Sequence, residues 1–281
     1  VILAATSWDL EAVSPAGVEP IREGPLRHLA RSGDSVLCLE DSGTVVVDDQ
    51  PVGRIPDGYH PNCLLPTEGT VWVGCSEARL LRLHDGRWVE DEAFLEAPGR
   101  DTWFTPWGGP PDVRSLTRTV EGEILVNVHV GGILRRDPGG WVPTVDIEAD
   151  VHQVCASAGG PVGAATARGL FLSNDGFRTW EEIAQGLHAR YGRAVAWLGD
   201  TPVVSVSTGP GGARSAVYLV EDHVPKRISE DLRLEDNVDT HCLAVRDGRM
   251  ATAVGRVVYM SDDRGATWSA AGTAGAVRAL A

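Results

Sequence analysis

The chain has 281 residues, 43% hydrophobic and 23% charged, a balance that excludes a disordered polypeptide and allows a large core. Its formal net charge of -14 argues against a surface made for nucleic acid or anionic membrane, although a local basic pocket is compatible with it. No apolar run reaches the length of a membrane-crossing helix.

The first segment, Val1 to Ala5, is apolar and strand-like and lacks an initiator Met, so a removed signal peptide is compatible with this start. Segments suited to the innermost strand of a repeat then recur at Leu26 to Ala30, Pro61 to Leu65, Val113 to Leu116 and Val151 to Val154. Gly192 to Ala196, Thr240 to Ala244 and Ala276 to Leu280 continue the series. A polar turn and a second apolar segment follow most of them, as at Thr70 to Gly74, Ile124 to Val128, Pro202 to Val206 and Met250 to Val254. Third strands read Thr44 to Val47, Leu80 to Leu83, Ile133 to Arg135, Leu170 to Leu172, Ala216 to Leu219 and Val257 to Met260. Small and β-branched residues dominate, which suits strands crowded near an axis.

Short strands at a period of about 40 residues predict an all-β propeller of four-stranded antiparallel blades. The last segment has no successors and the first has no predecessor. Joined, they form a composite N/C-terminal blade that closes a ring of seven, with residues 1–281 as a single domain. The longest interruptions, Ala97 to Pro111, Gln185 to Tyr191 and Thr208 to Ser215, all emerge on one face, where binding residues usually sit. Cys38, Cys63, Cys75, Cys155 and Cys242 form an odd set without Cys-x-x-Cys spacing, which reads as buried thiols in a reducing, cytoplasmic compartment. A Cys63–Cys75 bridge across neighbouring strands is the alternative.

Two phrases near the strand ends are more specific. Ser261-Asp262-Asp263-Arg264-Gly265-Ala266-Thr267-Trp268 and Ser173-Asn174-Asp175-Gly176-Phe177-Arg178-Thr179-Trp180 share a Ser-x-Asp turn and a terminal Thr-Trp. This pattern resembles the Asp-box, or BNR, repeat of sialidases and related propellers. The resemblance implies that Ser173, Asp175, Trp180, Ser261, Asp263, Gly265 and Trp268 are structural, holding the hairpin between third and fourth strands. It does not extend to sialidase catalysis: Arg54-Ile55-Pro56 matches that family's Arg-Ile-Pro motif but falls near an outer strand, and Tyr218 and Tyr259 lie on third strands. Neither a phosphate loop nor a Gly-x-Ser-x-Gly elbow is present.

Aligning the seven innermost segments brings Arg27, Asn62, Arg114, His152, Arg193, His241 and Arg278 into one register. A polar residue repeated at the head of apolar strands is expected to line the mouth of the channel. The arginines there suit a small anionic ligand, or else pair with acids such as Asp112, Asp150 and Asp239 and tie blades together. His129, His152, His188 and His241 are candidate ligands for a divalent transition metal, with Asp150 or Asp239 adding a carboxylate. Without metal, His152 or His241 is the candidate general base. Trp103 and Trp107, in the Gly/Pro-rich loop, are candidates to cap a ligand, with Tyr191 beside Arg193. The expected activity is hydrolysis or elimination at this rim. The alternative is a non-catalytic protein-binding or assembly scaffold, its partner held on the loop-rich face.

Overall fold

Strands buried on both faces read as continuous apolar runs, whereas outer strands alternate, and that gradient orders every blade here. The computed structural model describes residues 1–145, 147–212 and 214–281. Among them, 28 strands form seven four-stranded antiparallel sheets arranged radially as a propeller. Second strands such as Ile2–Thr6, Ile124–Val128 and Val162–Thr166 are buried along their whole length. Outermost strands such as Gly17–Glu23 and Val224–Arg227 are largely exposed or alternate. The apolar core lies between blades: Cys63, Trp72 and Leu80 of one sheet pack against Leu116, Val126 and Leu134 of the next.

The seven innermost strands are Leu26–Ser32, Pro61–Thr67, Val113–Arg118, Val151–Ala156, Tyr191–Leu198, Leu243–Arg246 and Val277–Leu280. Each touches its neighbours in cyclic order. The C-terminal strand Val277–Leu280 pairs with Ile2–Thr6, and Leu3 and Ala281 exchange backbone hydrogen bonds of 2.8 and 3.0 Å. Residues from the two ends of the chain therefore complete one blade, as the repeat count predicts.

At the head of these strands the ladder is interrupted in a repeated way. Leu26 pairs with Glu40 and His28 with Leu39, leaving Arg27 as an extra residue. The same shift leaves out Asn62, Arg114, His152 and Arg193 in the next four blades, and Arg278 in the composite one. These are β-bulges, which re-aim one side chain while the ladder continues. In the remaining blade the strand begins at Leu243, later than the expected Thr240 to Ala244, and His241 takes a left-handed φ of 66°. The reason is the long connection 228–242, where the Asp239 carbonyl accepts from the Cys242 N–H at 2.9 Å before the strand can start.

The two Ser-x-Asp turns have matching geometry. Asp263 accepts from the Thr267 N–H at 2.9 Å and hydroxyl at 2.6 Å, and Asp175 from those of Thr179 at 3.0 and 2.7 Å. Two successive residues are left-handed in each, Arg264 and Gly265 at 60° and 84°, Gly176 and Phe177 at 70° and 65°. One glycine can thus occupy either place, which is why the two phrases carry it at different positions. Trp268 donates to the Ile228 carbonyl of the preceding blade at 2.6 Å.

All five cysteines are unpaired, so Cys63 and Cys75 are not bridged, and burial pushes each thiol upward, Cys38 to about 11. Of the three expected long loops, Thr208 to Ser215 includes Ala213, which lies outside the described residues. No helix is long and apolar enough to cross a membrane among the described residues.

The bulge at Arg114 depends on close approach of two strands. A Cβ at Gly74 would lie 2.3 Å from Val113 Cγ1 and 2.7 Å from Cys63 Sγ. Gly74→Ala is therefore expected to destabilise the protein by about 1–3 kcal/mol through overpacking. Urea denaturation should show a lower midpoint with an unchanged slope.

Candidate functional site

Inner strands start on the face where fourth strands hand over to first strands, and second strands end there. The bulge residues therefore meet the ends of second strands at one mouth. Arg27, Asn62, Trp107, Asp112, Arg114, His129, Asp239, His241 and Arg278 line a cavity of about 330 Å³ there, the lower end of the range for small-ligand sites.

The arginines differ in what they meet. Arg193 pairs with Asp239, Arg278 with Asp41 at 2.7 Å and the Leu26 carbonyl at 3.1 Å, and Arg27 with Asp41 at 3.5 Å. Arg114 has no ion pair among the described residues. Asn62 ties blades by donating to the Val113 carbonyl at 3.3 Å. The mouth thus combines blade ties with one uncommitted guanidinium.

Beside Arg114, His129, Asp150 and His152 place one ligand atom each within 4.8 Å of one another. His129 Nε2 is 3.4 Å and His152 Nε2 3.8 Å from Asp150 Oδ1. His152 is 0% exposed, and its Nδ1–H donates to the Gly192 carbonyl at 2.6 Å. That bond leaves the Nε2 lone pair facing the carboxylate. Among the described residues neither His152 Nε2 nor Asp150 Oδ1 has a hydrogen-bond partner, although both atoms are buried. Buried polar atoms are nearly always satisfied, so the exceptions point to a ligand or ion.

The local backbone explains how the three converge. His129 directly follows the second strand Ile124–Val128, and its N–H is held by the Asp112 carbonyl at 2.9 Å. Val130 follows at a φ of 42°, a strained value for a β-branched residue, and Asp150 precedes its bulge at 48°. His152 is itself the extra residue of the bulge. Burial, reinforced by the Arg114 charge, pushes His152 down to about 3 and His129 down to about 4. Burial also raises the Asp150 carboxyl, against the opposing pull of Arg114 and Arg193. Both imidazoles are neutral at physiological pH, the form that ligates metal.

The other expected histidines are used differently. His241 Nε2 donates to the Arg114 carbonyl at 3.0 Å, and the His241 N–H donates to Gln153 Oε1 at 3.0 Å. His188 has both ring nitrogens taken, Nδ1 by the Tyr218 hydroxyl at 2.9 Å and Nε2 by the Arg214 carbonyl at 2.7 Å. Neither belongs to the His129–Asp150–His152 group. His28, which strand register does not single out, sits at the mouth with its ring 4.3 Å from that of His241, edge to face. The signal for it in the sequence is its place next to the bulge residue Arg27.

The two loop tryptophans separate. Trp103 is 9% exposed and packs against Phe94 at 5.8 Å, so it anchors the loop and does not cap the mouth. Trp107 is 71% exposed, with its ring 5.0 Å from His129. Tyr191 lies 4.6 Å from the His152 ring.

No family model and no curated protein matches the chain. Among solved structures it is similar to virginiamycin B lyase from Staphylococcus aureus, at 10% identity and a TM-score of 0.65, over 87% of this chain and 83% of that one. A xyloglucanase from Xanthomonas campestris gives 14% identity and a TM-score of 0.64, over 96% of this chain and 46% of that one. YCF48 bound to a peptide gives 12% and 0.58, over 92% and 84%. At such identities the likeness shows the propeller fold alone.

Four buried imidazoles with depressed proton affinity make stability pH-dependent, since burial also pushes His241 down to about 4 and lowers His28 well below its ordinary value. Below the unfolded value of about 6.5 the unfolded chain binds protons that the folded chain does not. Their contribution is complete above that pH and is lost as pH falls through the folded values. The ring resonances of His129, His152 and His241 should stay those of neutral imidazole from pH 8 to 5, while the urea midpoint declines below pH 6.5. A titration midpoint above 6 for His152 would contradict this.

Proposed function

We propose that the axial mouth binds a small anionic ligand at a divalent transition-metal centre held by His129, Asp150 and His152, and that the protein is a metal-assisted hydrolase or lyase. The observation that carries this reading is the convergence of three ligand atoms within 4.8 Å, two of them buried without partners, beside an arginine lacking an ion pair, all among the described residues. Two imidazoles and a carboxylate are a donor set used by zinc and non-haem iron, and three protein ligands leave positions open for substrate. Such a metal would polarise a substrate oxygen. Arg114 faces the negative charge that develops there. His241 acts by holding the Arg114 backbone, and Gln153 links it to the bulge of His152. Trp107 covers His129 from the solvent side and offers a ring face to the ligand.

Hydrolysis and elimination both fit this reading, since each can use a metal-polarised substrate oxygen and a nearby proton carrier, and Tyr191 places a phenol ring 4.6 Å from that of His152. The matching hydrogen bonds of the Ser173 and Ser261 turns support kinship with the Asp-box propellers, where such turns are structural. Five unpaired, buried or half-buried thiols fit a cytoplasmic setting.

A second reading rests on the pairing of Arg27, Arg193 and Arg278 with acids and on the exposure of Phe104 and Trp107 in one loop. These features fit a scaffold that holds a protein partner on this face. Metal analysis separates the two. Protein purified without chelator should carry about one equivalent of metal, and the His129→Ala/His152→Ala double variant should lose nearly all of it while keeping its far-ultraviolet circular dichroism. Well-folded native protein that takes up no zinc, cobalt or manganese would turn the assignment to the scaffold.

A further inference from the structure

A metal at this site has an electrostatic consequence for what else must bind. The three ligands supply one formal negative charge, that of Asp150. Arg114 stands beside them with its positive charge unmatched by an ion pair among the described residues, and its field lowers the proton affinity of both imidazoles and of the carboxylate. Arg193 acts in the same direction, although its own charge is met by Asp239. Asp112 lines the same cavity but makes no ion pair with Arg114 among the described residues. A divalent cation entering this group therefore meets an unpaired guanidinium in a buried setting, where like charges repel strongly.

We propose that the centre is completed by a bridging oxyanion of the carboxylate or carbonate class, one oxygen on the metal and the other on Arg114, so that metal and anion bind cooperatively. This rests on the metal-site reading above. The geometry favours it in three ways. Three protein ligands leave the coordination sphere open. The guanidinium is a planar fork matched to two oxygens. His129 is the member of the group that lines the cavity, so the group meets the mouth on the side where Arg114 and Trp107 lie. A bridging anion converts a repulsive pair of cations into a neutralised cluster. The cavity of about 330 Å³ limits it to a small acid.

Coupling of this kind is reciprocal: the anion raises metal affinity by the factor by which the metal raises anion affinity. The test is titration of the metal-free protein with cobalt(II), read by its visible absorption, in formate and in chloride at equal ionic strength. Formate should tighten cobalt binding about tenfold or more, a typical coupling factor. In Arg114→Gln the formate effect should vanish, while affinity in chloride is equal to or higher than that of the native chain because a repelling charge is gone. Equal native affinities in formate and chloride would overturn the cooperative anion but leave the metal centre standing. Formate dependence that survives in Arg114→Gln would also overturn it, by assigning the anion to another cation. No cobalt binding under either condition would remove the metal centre itself. Circular dichroism of each variant confirms that the comparison is between folded chains.

Discussion

An innermost propeller strand is hydrogen-bonded to its own sheet along one edge only, and its other edge looks onto the axis. Seven such edges converge here, so each blade has little room to present anything at the mouth. The chain resolves this with an extra residue at the head of the strand, left out of the ladder in six blades and replaced by a left-handed His241 in the seventh. A bulge keeps the ladder intact below it while turning one side chain away from the interblade core. That device sets the ring of Arg27, Asn62, Arg114, His152, Arg193 and Arg278, and loops and second-strand ends add Asp112, His129 and Asp239 to it.

Its chemical outcome varies with the residue placed in it. Arg278 and Arg193 are drawn to carboxylates of adjacent segments, Asp41 and Asp239, and become ties around the ring. Asn62 reaches the backbone of the next blade. His152, the most enclosed of the set, is pinned through Nδ1 and left with an unsatisfied Nε2. An unsatisfied buried polar atom costs about 1–3 kcal/mol, and several gather around Asp150. The rest of the ring supplies the stability that tolerates them: strands buried on both faces, closure by the two chain ends, and tryptophans donating across blades.

Much of this was legible from residue pattern. The recurrence of apolar segments followed by Gly- and Asp-rich turns requires sheets that bury both faces against neighbours, and the unmatched first and last segments require each other. The register of Arg27, Asn62, Arg114, His152, Arg193, His241 and Arg278 was also visible, because a polar residue held at a constant place in apolar strands must turn away from the packed sheets. The Ser-x-Asp turns were readable because the hydrogen bonds they make are local.

Partner choice was not readable. Whether Arg114 or Arg193 is neutralised depends on where the 228–242 connection delivers Asp239, and that path has no periodic signal. Trp103 and Trp107 occupy the same loop and have the same chemistry, yet one packs on Phe94 and the other stands over His129. Four histidines looked alike as ligands, but His188 is taken up by Tyr218 and the Arg214 carbonyl, and His241 by the Arg114 carbonyl, which leaves His129 and His152 with Asp150. Sequence by itself determined the ring, its closure and the positions that face the axis, because repeats and strand periodicity are local properties of the chain. Only the tertiary structure decided which of those side chains are spent on each other and which remain open to a ligand, because that depends on angles and distances between blades far apart in sequence.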